Sequence, residues 1–239
     1  MTKYSLIFLF IFFCIIFLLR LTSFGSKFAN NYSYINDDTR RICDTLYLFN
    51  ENQDMKIIEN LLTDKECKLI IDEAESIAKK YGWAKKRHSN HPTMDNEFTK
   101  KWKNYDNIQK KVREKIYSQI SKMFHVKKEK LDINEMFVVK YSTDGQRELE
   151  FHKDGSEFSF IIALNDDYKG GGTYFEQMRK NIKLKKGSCL VFSGQNTHKG
   201  SYLLDGTRYL LTGFIDYGGK SICRDYYKEI FNVEDLNLI

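Results

Sequence analysis

Two histidines and a carboxylate are placed to hold a metal. His152-Lys153-Asp154 puts an imidazole and a carboxylate at i and i+2, which on an extended segment project to the same side. His198 follows later, at the start of an expected strand. Two His and one carboxylate occupy one face of an octahedral ion and leave three positions open, as non-haem Fe(II) oxygen chemistry requires. Spacing alone leaves zinc with the same ligands as a competitor. Arg208, in Gly206-Thr207-Arg208-Tyr209, enters the next strand and can grip a carboxylate bidentately. His88 and His91, in Arg87-His88-Ser89-Asn90-His91-Pro92, are read as a polar surface loop, the rival being a loop that lines a substrate site.

These residues need a rigid frame. After Leu131 the sequence breaks into short strand candidates, Met136–Ser142, Phe158–Asn165, Gly172–Phe175, Asn181–Leu184, Ser188–Phe192 and Arg208–Tyr217. Asp144-Gly145, Gly170-Gly171-Gly172, Lys186-Gly187 and Asp205-Gly206 are the turn signals between them. Before them come two helices. Thr63-Asp64-Lys65-Glu66 is a capping box, followed by an apolar face of Cys67, Ile70, Ile71, Ala74, Ala78 and Tyr81. A second helix over Asn107 to Phe124 carries Ile108, Val112, Ile116, Ile120 and Met123 as its buried stripe, with its lysines mostly forming a solvated face. Helices followed by many short strands predict an α+β chain, mainly β, with helices backing a sandwich or jelly roll.

The 239 residues allow one substantial domain plus appendages. With 42% hydrophobic and 15% aromatic residues a large core can form, which excludes wholesale disorder. A single proline excludes collagen-like chains, and 5 cysteines are too few for a disulfide-dense miniprotein. The net charge of +6 does not by itself call for nucleic acid.

Leu6 to Leu19 is an unbroken apolar run of 14 residues between Lys3 and Arg20. Extended over Tyr4 to Phe24 it reaches a bilayer-spanning length of about 20 residues, and predicts a membrane anchor. A cleaved signal peptide, with Ser23-Phe24-Gly25 at the cleavage site, is the alternative. Either routes the chain into the secretory system. The expected organisation is anchor or signal over 1–25, a polar stalk and first strand region over 26–54, and a catalytic domain over 55–239 with its core barrel at about 134–217. Asn31-Tyr32-Ser33 is a glycosylation sequon suited to a lumenal domain. Cys43, Cys67, Cys189 and Cys223 permit a disulfide there without indicating a pairing, and Cys67 reads as core.

The local sequences in order carry a further signal. Phe137–Tyr141 precedes His152-Lys153-Asp154-Gly155. Phe158–Asn165, Gly170–Phe175, Lys186–Phe192, Thr197-His198 and Gly206–Phe214 follow. This series resembles the 2-oxoglutarate/Fe(II) dioxygenases of the prolyl 4-hydroxylase superfamily, and most nearly the catalytic domains of procollagen lysyl hydroxylases. The resemblance spans about Met55 to Tyr217, including Leu61–Cys67. It implies a double-stranded β-helix, with His152, Asp154 and His198 as iron ligands and Arg208 on the distal carboxylate of 2-oxoglutarate. Prolyl hydroxylases often carry Lys at that position, so Arg208 tilts toward the lysyl branch. Tyr141 matches a tyrosine that hydrogen-bonds the cosubstrate, the alternative being a barrel-core tyrosine.

The implied reaction consumes O2 and 2-oxoglutarate, releases succinate and CO2, and hydroxylates a lysyl or prolyl side chain of a protein or peptide, with L-ascorbate maintaining the iron. The implied setting is a single-pass membrane protein of the endoplasmic reticulum or secretory pathway with a lumenal catalytic domain. Hydroxylation of a small molecule or free amino acid, or a non-catalytic jelly-roll binding protein, are the alternatives. Nucleic-acid demethylases of this superfamily carry a second arginine six residues after the first. Here that position is Phe214, so no nucleic-acid partner is expected.

Overall fold

The computed structural model describes Cys43, residues 55–85, 87–88 and 90–219, and Cys223. The expected anchor, the stalk and the sequon at Asn31 lie outside the described residues. Among the described residues no helix is long and apolar enough to cross a membrane.

The chain enters the described region on β1 (Met55–Ile58). Helix α1 (Asp64–Tyr81) then opens on the expected capping box: Thr63 accepts from Glu66 N, and Glu66 accepts from Thr63 N at 2.8 Å. Cys67, Ile70 and Ala74 form its buried face. After β2 (Asp95–Glu97) comes α2 (Tyr105–Lys111), continued by a π-helical turn (Val112–Ile116) and α3 (Tyr117–Phe124).

The π turn has a physical cause. Ile108, Val112, Ile116, Ile120 and Phe124 are all buried at a strict spacing of four. A 3.6-residue helix would rotate such a row steadily off one face, and one wider i→i+5 turn brings it back. Phe124 rather than Met123 ends the stripe, and Met123 is only partly buried.

The strands are β3 (Leu131–Ser142), β4 (Leu149–His152), β5 (Phe158–Ala163), β6 (Lys169–Gly170), β7 (Thr173–Phe175), β8 (Lys180–Ile182), β9 (Cys189–Ser193), β10 (His198–Gly200), β11 (Leu203–Asp205) and β12 (Thr207–Tyr217). All pair antiparallel. The major sheet runs β1-β9-β5-β12-β3-β2 and the minor sheet β4-β10-β7-β8, with β11 and β6 as a separate pair. The architecture is therefore α+β and mainly β.

Alternation sorts the major sheet's side chains into two cores. Met136, Val138, Phe160, Ile162 and Leu211 pack with the helices. Phe137, Val139, Tyr141, Ile161 and Leu210 face inward and meet Phe175 and Ile182 of the minor sheet. Both faces of β5 are covered, so all six of its residues are buried and five of them are apolar, Ser159 being the exception. Gly213 sits in mid-strand because Phe160 of the adjacent β5 lies over it: a Cβ there would meet the Phe160 ring at 2.2 Å.

Cys43 is disulfide-bonded to Cys223, linking the chain ahead of β1 to the chain after β12. Cys67 is buried as expected, and Cys189 is a second buried free thiol.

Glu157 is fully buried near Asp216, and its Oε2 accepts from Tyr217 N at 3.1 Å. Burial first, and the Asp216 charge second, push its carboxyl up to about 8. The native state thus keeps a proton that the unfolded chain releases near 4.5. Stability is fully present below that value and falls as pH rises toward 8. Glu157→Gln should flatten this slope and exceed the wild type in stability above pH 8 by urea unfolding. An unchanged slope in the variant would refute the assignment.

Candidate metal centre

His152 is the last residue of β4 and His198 the first of β10, and the two are direct cross-strand partners. Asp154 follows where the chain leaves β4, with its amide donating to Gly194 O at 2.8 Å. Two short strands and one turn thereby aim three side chains at one point. His152 Nε2 lies 3.6 Å from Asp154 Oδ1, and His198 Nε2 lies 3.8 Å from Asp154 Oδ2. The ligating atoms of all three lie within 4.8 Å of one another. A first-row ion with bonds of about 2.0–2.3 Å fits among them after a small contraction.

The surroundings prepare each donor. His152 Nδ1 is 2.8 Å from Glu150 O, and His198 Nδ1 is 2.8 Å from Asn196 O. A carbonyl only accepts, so both Nδ1 atoms carry the proton and both Nε2 lone pairs face the site. Burial, and next the proximity of His198, hold the His152 imidazole below its ordinary range, which keeps it neutral and ready to ligate. Ser159 Oγ donates to Asp154 Oδ2 at 2.5 Å and fixes the carboxylate. No local motif marks Ser159. Its position, five residues beyond Asp154 on an inward-turning strand, is the only signal that could have found it.

The same cavity reaches Arg208, which pairs with Tyr141 in the β12–β3 register. Arg208 is 3% exposed. Its Nη1 donates to Gly172 O at 2.8 Å and its Nη2 to Thr173 Oγ1 at 3.2 Å, while Nε is buried without a hydrogen bond. No carboxylate pairs with it among the described residues. Its guanidinium lies 5.5 Å from the Tyr141 ring centre. Tyr141 is buried, and burial raises its hydroxyl above the ordinary range. Gly200 is required beside it, since a Cβ there would stand 2.7 Å from the Tyr141 oxygen.

The structure thus brings together all five residues singled out for the site. It adds His88 and His91, which line the cavity instead of forming a surface loop. The His91 ring lies 5.0 Å from that of His152. Phe214 also faces the cavity, at the position where a second arginine would stand in the nucleic-acid enzymes.

No protein-family model matches the chain. Human procollagen-lysine,2-oxoglutarate 5-dioxygenase 2 is 42% identical over 86 residues, covering 34% of this chain and 12% of that protein. The multifunctional procollagen lysine hydroxylase and glycosyltransferase of Caenorhabditis elegans is 30% identical over 177 residues, covering 65% of this chain and 23% of that protein. The chain therefore spans less than a quarter of the length of these relatives. Among solved structures, the viral collagen prolyl hydroxylase of Paramecium Bursaria Chlorella virus-1 superposes with a TM-score of 0.53 at 21% identity, covering 72% of this chain and 97% of that one. A Pseudomonas putida prolyl-4-hydroxylase superposes with a TM-score of 0.56 at 12% identity, covering 74% and 100%. The helices and paired sheets are thus the double-stranded β-helix arrangement of those proteins.

Proposed function

We propose that this chain, which has the prolyl 4-hydroxylase-type fold of 2-oxoglutarate/Fe(II) dioxygenases and partial homology to procollagen lysyl hydroxylases, hydroxylates a peptidyl side chain, lysyl in preference to prolyl. The observation that carries this reading is one cavity holding both a His-Asp-His cluster and a buried arginine with no carboxylate partner among the described residues. An anion from outside the chain would satisfy Arg208, and a metal held by only these three side chains would be able to take a chelating cosubstrate as well.

When bound, Fe(II) with 2-oxoglutarate and O2 supplies oxidation of an unactivated C–H bond, one oxygen atom entering the product alcohol and the other succinate, with loss of CO2. The chain's residues do the rest. His152 Nε2, His198 Nε2 and an Asp154 oxygen hold the metal. Arg208 takes the distal carboxylate of 2-oxoglutarate, with the Tyr141 hydroxyl beside it. Phe137, Ile161 and Leu210 give the cavity apolar walls that exclude water from the oxidation. L-Ascorbate is the expected reductant for iron left oxidised by uncoupled turnover.

Peptide profiling by mass spectrometry with Fe(II), 2-oxoglutarate and ascorbate tests the reading. A mass gain of one oxygen on lysyl peptides is the expected result. Succinate release absent under all conditions would refute the activity, and modification of prolyl peptides alone would refute the lysyl preference.

Arg208→Ala isolates the cosubstrate contact. Loss of a charge-assisted hydrogen bond of about 1.5–3 kcal/mol should raise the 2-oxoglutarate requirement roughly 10- to 100-fold, with iron content nearly intact. Parallel loss of iron and cosubstrate would instead mark a folding defect.

For the setting, we propose membrane attachment through the apolar run Leu6–Leu19 and a catalytic domain in the secretory lumen. The Cys43–Cys223 disulfide supports an oxidising compartment. Glycosylation of Asn31 in a eukaryotic host, and protection of the domain from protease in sealed microsomes, are the expected outcomes. Digestion of the domain there would place it in the cytosol.

A further inference from the structure

The chain between α1 and β2 forms one wall of the cavity and is held from both sides. Arg87 donates from Nε to Asp95 and from Nη2 to Glu135, and its guanidinium covers the Phe137 ring at 5.6 Å. Gln146, in the turn between β3 and β4, accepts from Met94 N at 2.9 Å and donates to Pro92 O at 3.0 Å. These anchors set the His88 ring 4.7 Å from that of Phe137 and 6.1 Å from that of Phe214.

The two nitrogens of His88 have different surroundings. Nε2 is buried without a hydrogen bond, 3.9 Å from Oδ2 of Asp95. That carboxylate is itself fixed by Thr93 Oγ1 at 2.6 Å and by Arg87. A ring nitrogen facing a carboxylate carries the proton, so Nδ1 is left with its lone pair. Nδ1 is the less enclosed nitrogen of a residue that lines the cavity.

Charge around the cavity is uneven. Behind His88, Asp95, Glu97 and Glu135 surround the single guanidinium of Arg87. Lys153 also lines the cavity, with no carboxylate partner among the described residues. A cationic side chain is steered toward the His88 wall and away from Lys153.

We propose that His88 recognises the ammonium group of the substrate side chain, accepting its N–H at Nδ1 while Asp95 behind Nε2 fixes the tautomer. This rests on the reading of the cavity as a peptidyl hydroxylase site, and names the residue that makes it select an amine. Asp95 is a positioning residue and does not itself meet the substrate.

The test is anaerobic calorimetry on the full chain loaded with Fe(II) and 2-oxoglutarate, comparing Nα-acetyl-lysine methylamide with its norleucine counterpart. Wild type should bind the lysine compound roughly 10- to 100-fold tighter, the span expected for a hydrogen bond to a charged group. His88→Phe should erase the difference, and His88→Gln, which keeps an acceptor, should retain part of it. Long-range proton–nitrogen spectra should show the His88 proton on Nε2. Equal binding of the two compounds by wild type, undiminished discrimination in His88→Phe, or a proton on Nδ1 would overturn the proposal. Succinate release by wild type without peptide separates the readings: its presence beside failed discrimination removes His88 alone, and its absence removes the dioxygenase reading as well.

Discussion

His198→Ala should leave the protein without stoichiometric iron and without detectable succinate release. His198 provides one of three ligating groups and is 4% exposed, so water does not take its place freely. Loss of a group that merely orients a ligand costs roughly 10- to 100-fold in metal affinity or activity, and loss of the ligand itself should exceed that. Ser159→Ala, which only frees the Asp154 carboxylate, should fall within the smaller range. Iron can be read by atomic absorption after dialysis. Unfolding temperature with and without added metal gives a check independent of turnover, since an ion that binds only the native state raises it. Wild type should shift upward and His198→Ala should not. Normal iron content and turnover in His198→Ala would dismantle the assignment of the centre.

Removal of the Cys43–Cys223 bond should lower stability by about 5 kcal/mol. The bond joins positions 180 residues apart. The loop-entropy relation for a closed loop of that size gives this magnitude, acting mainly by restricting the unfolded chain. With a urea slope of about 2–3 kcal/mol per molar, the midpoint of Cys43→Ser/Cys223→Ser should fall by about 2 M. Unreduced peptide mapping should recover Cys43 linked to Cys223, with Cys67 and Cys189 free. Coincident unfolding curves for oxidised and reduced protein would contradict the expectation. The effect bears on the fold because the bond joins the chain ahead of β1 to the chain after β12.

Much of the site was legible because it is written in local pattern. His152 and Asp154 stand two residues apart, and β4 presents them together only because extended chain alternates. The helix start at Thr63 was legible for the same reason, as a capping box is closed by residues three apart. Strand centres were found where apolar runs met turn residues. Their ends were not: β3 begins at Leu131, five residues before the pattern becomes continuous, because pairing with β12 extends it. The three-residue strands β2 and β10 carry no periodicity of their own and exist only through their partners.

What tertiary structure alone decided depends on contacts between distant segments. The pairing of His198 with His152 brings the ligands together across 46 residues. The Cys43–Cys223 pairing could not be read from four candidate thiols, because all four are buried and only the fold, which brings Cys43 and Cys223 to a Cα separation of 5.0 Å, separates the bonded pair from Cys67 and Cys189. His88 looked like part of a polar surface loop because its neighbours are polar. Arg87 reverses that reading by bonding back to Asp95 and Glu135, so the loop's charges are satisfied against the barrel and its imidazoles turn to the cavity. Local sequence encodes which donors a segment offers. Only the packed fold determines which of them are satisfied by the chain itself and which, like Arg208 Nε and His88 Nε2, are buried without a hydrogen bond among the described residues.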